Sequence, residues 1–135
     1  YGIYLGTASV PYDAFFDTVP DEHLDFFEHL QPVVETDDCI CVHAGVRIDG
    51  AGTGPQTADD FVWGGDARFP DEYAGEKIVV YGHRDNAVLD ERGWPAPRIA
   101  GRTIGIDTIS HGVLTAIRLP DGHVMQSARY VVAAR

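Results

Sequence analysis

No apolar stretch in these 135 residues approaches the roughly 20 that a membrane-spanning helix needs, which excludes such a helix here. The first residues also lack the basic-then-apolar pattern of a targeting segment. Basic side chains are scarce: 10 Lys and Arg face 21 Asp and Glu, for a formal charge of -11. That balance argues against general nucleic-acid binding and against an anionic membrane as partner, and favours divalent cations. There are only two cysteines, Cys39 and Cys41. Two apart on a predicted strand, they face the same side along an extended backbone where a mutual bond is strained. They read as reduced thiols of a cytoplasmic protein, with a disulfide or metal pair as the alternatives. Met125 is the only methionine, and the chain does not begin with one.

What is present is ordinary globular material. Hydrophobic residues make up 44% of the chain, enough for one domain or for half of a two-layer domain. Pro11 and Pro20 punctuate an irregular, aromatic-rich start. From Asp21 to Leu30 the spacing turns helical, with Leu24, Phe27 and Leu30 three apart and Asp21 and Glu22 in the first turn. Pro20 suits the first helical position. Residues 43–61 are rich in Gly, Thr and Asp and predict a surface loop, and Asp59–Tyr73 predicts a short helix or turn pair around Trp63. Arg84–Arg102 holds Gly93, Pro95, Pro97 and Gly101 and cannot be one regular element. Val113–Leu119 and Val124–Tyr130, joined by Pro120-Asp121-Gly122-His123, predict a terminal β-hairpin.

Two apolar runs each end on a histidine. Ile40-Cys41-Val42 leads into His43-Ala44-Gly45, and Ile78-Val79-Val80-Tyr81 leads into Gly82-His83. A β-branched run that stops beside an imidazole predicts a buried strand delivering a ligand to the sheet edge. Neutral imidazole on a rigid strand suits zinc, manganese or iron, and the adjacent glycine lets backbone and substrate come close.

These motifs resemble the two late histidine motifs of the calcineurin-like metallophosphoesterases, in the branch of bacterial serine/threonine phosphatases and diadenosine tetraphosphatases. The tail Ile104-Gly105-Ile106-Asp107-Thr108 with Gly112–Gly122 is similar to that branch's closing hairpin. The family's earlier motifs, Asp-x-His, Gly-Asp-x-x-Asp-Arg-Gly and Gly-Asn-His-Asp/Glu, do not occur here. Tyr1-Gly2 is similar to the segment that follows the last of them. The resemblance therefore implies the carboxy-terminal half of a four-layer αββα sandwich: a single portion over residues 1–135, with one mixed sheet, flanking helices and a terminal hairpin. The amino-terminal metal-binding half would be absent.

The resemblance also implies a function. A two-ion site, manganese or else iron or zinc, would hydrolyse a phosphate ester on a phosphorylated protein or a nucleotide substrate. Diadenosine tetraphosphate hydrolysis is the first alternative, and a non-catalytic scaffold or binding domain is the second. His43 and His83 would be metal ligands, with an asparagine and a bridging aspartate upstream and the catalytic histidine also upstream. Family members follow the second Gly-His with Thr and Pro, whereas here Arg84-Asp85-Asn86 follows. Arg84 is a candidate phosphate ligand or a solvated surface charge. Arg68, displaced after Trp63, is a candidate phosphate ligand or an ion-pair partner of Asp66 or Asp71. Asp107 and Thr108 could orient a ligand histidine or cap a turn. His111 reads as a surface residue.

Three expectations follow. The two imidazoles should converge at one edge of one sheet. The chain by itself should turn over little substrate. Ile40, Val42, Val79 and Ile106 should lie on an uncovered apolar face.

Overall fold

The computed structural model describes residues 17–50 and 52–130. The chain divides into two units, residues 1–31 and 32–135. In the first unit, helix α1 spans Asp21–Glu28 and carries Asp21 and Glu22 in its first turn, where the helix dipole favours acids. Pro20 stands just ahead of it at the cap position, and its carbonyl accepts the N–H groups of His23 and Leu24 at 2.9 and 3.3 Å.

The second unit is built on a six-stranded mixed sheet. Its strands are β1 (Val33–Glu35), β2 (Cys39–Val42), β5 (Ile78–Tyr81), β6 (Ala87–Leu89), β7 (Pro95–Ala100) and β8 (Thr103–Gly105), in the spatial order β1-β2-β5-β8-β7-β6. The central pairs β2/β5 and β5/β8 are parallel, and the outer pairs are antiparallel. The β-branched content of Ile78-Val79-Val80 suits this centre, where a strand is covered on both faces. Two small ladders complete the strands: β3 (Ile48–Asp49) with β4 (Gly52–Thr53), and β9 (Thr115–Arg118) with β10 (His123–Gln126). The architecture is thus α/β with a mixed sheet and few helices.

Side-chain alternation sends Ile40, Val79 and Tyr81 to one face of the sheet. There they meet Val46 and Phe69 in a buried cluster flanked by Val42, Phe61 and Tyr73. Phe69 opens the short helix α2 (Phe69–Glu72), and its ring stands edge-on to Tyr81, 5.1 Å between centroids. Gly45 makes room for it, since a Cβ there would sit 3.0 Å from the Phe69 ring. Burying one such side chain stabilises the unit by about 1.5–3 kcal/mol. The opposite face carries Cys41, Val80 and Ile106, which with Ala116, Ile117 and Leu119 of the hairpin line a cavity of about 460 Å³.

Two expectations change here. Ile40 and Val79 are buried, at 8% and 0% exposure, because alternation turns them toward the 44–73 segment; Val42 and Ile106 are half-buried. Arg84–Arg102 is, as expected, not one regular element: it contains β6 and β7, which form a hairpin despite Pro95 and Pro97. Over Pro95–Pro97 strand β7 pairs only with β6, and over Arg98–Ala100 only with β8. Each proline therefore lies where one side of the strand has no ladder neighbour, and a missing N–H costs little there. The terminal hairpin is shorter than predicted, and Gly122 with φ 68° makes its turn. No helix among the described residues is long and apolar enough to cross a membrane.

Candidate metal site and its surroundings

Strands β2 and β5 are parallel neighbours, so their carboxyl ends open on the same edge of the sheet. His43 follows β2 directly, and His83 follows β5 after Gly82. The Gly82 N–H donates to the His43 carbonyl at 2.8 Å and joins the two strand ends. The imidazoles meet: His43 Nε2 and His83 Nδ1 are 2.9 Å apart and share a hydrogen bond, with ring centroids 4.8 Å apart. His83 is also the one non-glycine residue with positive φ among the described residues, at 72°. That left-handed conformation is unfavourable for an L residue and marks a place where surrounding structure holds the ring in position.

Whether these nitrogens suit a divalent ion can be tested from their separation. Two imidazoles bound to one ion at about 2.0–2.1 Å, at right angles or tetrahedrally, place their nitrogens about 2.9–3.4 Å apart. The observed 2.9 Å falls in that range, so the pair fits as two ligands of one ion. Among the described residues no group of three or more His, Cys, Asp or Glu converges, so the pair would supply two of the ligands.

The other expected site residues fall into three places. Asp107 and Thr108 line a cavity with His43 and His83. Neither side chain bonds an imidazole: the buried Thr108 hydroxyl donates to the Val113 carbonyl at 2.7 Å and contacts the Thr115 hydroxyl at 2.6 Å, holding the turn. Thr115 in turn accepts from Gln126, whose carbonyl oxygen accepts from the Trp94 indole at 2.7 Å. This chain of side chains fixes the hairpin beside the site. Arg68 is engaged by Asp66 and Glu72, at 3.0 and 3.3 Å. The Arg68 side-chain donors, followed by its backbone N–H, hold the Asp66 carboxyl below its usual range. Arg84 is exposed and has no ion pair or hydrogen bond among the described residues.

His111, expected as a plain surface residue, bonds Asp85 through Nε2 at 2.8 Å and ties the loop after β5 to residues 109–111. The Ala87 N–H and then His111 lower the Asp85 pKa. Cys39 and Cys41 are free thiols. Burial, with Cys39 adding to it, pushes the Cys41 thiol up and keeps it protonated.

Sequence reasoning passed over Tyr81 and Asn86, and used Trp63 only as a landmark for Arg68. Trp63 belongs to a single π-helical turn, Asp60–Gly64, and its ring stands edge-to-face with His83 at 5.8 Å. Such turns recur at functional sites, but no sequence pattern announces them. Asp60 anchors this one: its buried carboxylate accepts from the Thr57 hydroxyl and N–H at 2.8 Å each, and from Arg47 at 3.0 Å. Those bonds, the Thr57 pair first, hold its pKa below the ordinary carboxylate value.

No family model matches this chain, and no solved structure matches it. Among curated proteins it is similar to the bis(5'-nucleosyl)-tetraphosphatase PrpE [asymmetrical] of Geobacillus thermodenitrificans (strain NG80-2), with 32% identity over 107 residues. The alignment covers 68% of this chain and 40% of that relative. The chain thus spans well under two thirds of the curated relative's length. The relative's name is that of a phosphoesterase-type hydrolase.

Proposed function

We propose that this chain is the carboxy-terminal portion of a metal-dependent phosphoesterase, in which His43 and His83 hold one divalent ion of a two-ion site and water is the nucleophile. The observation that carries the reading is the imidazole pair: two nitrogens 2.9 Å apart at the carboxyl ends of adjacent parallel strands, one of them on a strained backbone. Divalent ions at such a site, manganese first and iron or zinc as alternatives, would lower the pKa of a bound water and neutralise phosphoryl oxygens. The chain's own residues bind and shape. His43 and His83 present ring nitrogens to the ion, Arg84 offers an uncommitted guanidinium to a phosphate, and Trp63 screens one side of His83 from water. Further ligands, including a bridging aspartate, would lie on a preceding segment.

The name of the curated relative favours a dinucleoside polyphosphate over a phosphoprotein as substrate, which reverses the order expected from the sequence. A cytoplasmic setting goes with this reading and with the free thiols. The test is hydrolysis of diadenosine tetraphosphate and of p-nitrophenyl phosphate by the full-length polypeptide with added manganese. Activity lost in His43→Ala supports the enzyme. Absence of metal-dependent hydrolysis of either compound contradicts it and leaves a non-catalytic scaffold.

A further inference from the structure

Trp63 remains 63% exposed although its ring lies against His83. Aromatic side chains normally contribute by burial, so an open indole at the lip of a site is a surface kept for contact. Behind it lies a cavity of about 180 Å³ whose walls include Trp63, Tyr81, Arg84, Asn86 and Arg98. Two of these walls have unused bonding capacity. Tyr81 is only 4% exposed, and its hydroxyl has the Arg98 guanidinium for a neighbour but makes no well-formed hydrogen bond among the described residues, a state that in a buried polar atom calls for an explanation. Arg84 is likewise unengaged among the described residues, whereas Arg98 is committed to both oxygens of Asp71 at 2.7 and 2.8 Å. An aromatic platform, a free cation and an unsatisfied hydroxyl around one small cavity are the complement of a planar base, a phosphate and a sugar.

Resting on the phosphoesterase reading above, we propose that the cavity between Trp63, Tyr81 and Arg84 is the nucleoside subsite of the histidine site: a base stacks on Trp63, Arg84 pairs with the adjoining phosphate, and the Tyr81 hydroxyl bonds a polar atom of the nucleoside. Stacking on an aromatic face tolerates any base, so the subsite distinguishes nucleotides from other phosphates better than one base from another. Gly105 belongs to the same construction. A Cβ there would lie 2.7 Å from Asn86 and 2.9 Å from the Tyr81 ring, so the glycine lets both walls stand where they do.

The experiment is a calorimetric titration of the full chain, without metal, with AMP, ribose 5-phosphate and O-phosphoserine, using the wild type, Trp63→Phe, Trp63→Leu and Tyr81→Phe. The expected result is AMP binding at least about fivefold tighter than the other two, the lower end of what stacking one base provides. That margin persists in Trp63→Phe, which keeps an aromatic face, and collapses in Trp63→Leu. Tyr81→Phe melts no lower than the wild type, because it removes an unsatisfied group, yet binds AMP more weakly; unchanged AMP affinity there overturns the role given to the hydroxyl. Equal binding of AMP and ribose 5-phosphate, binding of phosphoserine as tight as that of AMP, or no binding of any probe overturns the subsite. The metal-free titration is independent of hydrolysis, so either result stands apart from failure of the phosphoesterase reading.

Discussion

The Gly82 N–H donates to the His43 carbonyl at 2.8 Å, so the backbone ends of β2 and β5 are fastened together one bond away from both imidazoles. The fastening sets the two residues side by side, where their ring nitrogens meet at 2.9 Å, and the chain turns sharply at His83. The residue takes that turn at φ 72°, where glycine would be comfortable and histidine is not.

A first prediction comes from that strain. His83→Gly relieves a left-handed residue at a cost to metal binding, so the metal-free variant gains up to about 1 kcal/mol of stability. Thermal unfolding in chelator should show a melting temperature at or above that of the wild type. A clear fall would mean that the His83 ring contributes packing that outweighs its backbone cost.

Gly105→Ala tests the cavity walls. The added methyl would come within 2.7 Å of Asn86 and 2.9 Å of Tyr81, neither of which is a flexible chain end. Overpacking of this kind costs about 1–3 kcal/mol. Chemical denaturation should report that loss, and a variant as stable as the wild type would show that the two walls are free to move.

Not every part of this arrangement was legible beforehand. The strands bearing His43 and His83 could be read because short β-branched runs stop at small residues. The resemblance put the two histidines in one site. The β6–β7 hairpin could not be read, because Pro95 and Pro97 signal a break unless the open side of their strand is known. Burial of Ile40 and Val79 was missed for a related reason: alternation says that they share a face, but not that residues 44–73 return to cover it. The neighbours Trp63, Tyr81 and Asn86 come from a π-turn, a strand and a loop, and only the folded chain brings them together.

Asp60 gives the pH dependence. Its folded pKa lies below the unfolded value of about 3.9, through the Thr57 bonds first and Arg47 after them. The unfolded chain therefore binds the proton more readily. The stabilisation is fully present above the unfolded value and is lost as pH falls through the folded one. Melting temperatures measured from pH 7 to pH 2 should drop in the wild type at the acid end. Asp60→Asn should melt lower at pH 7 and show a shallower acid drop; parallel curves would contradict the assignment.

The central claim is that His43 and His83 face one divalent ion. The direct measurement is calorimetric titration of the full-length polypeptide with manganese, comparing the wild type with His43→Ala and His83→Ala, each checked for an intact fold by circular dichroism. The account predicts that both substitutions weaken the same binding event, each by at least about tenfold, the lower end of what even an indirect partner of a metal ligand contributes. Wild-type affinity in either folded variant would contradict it.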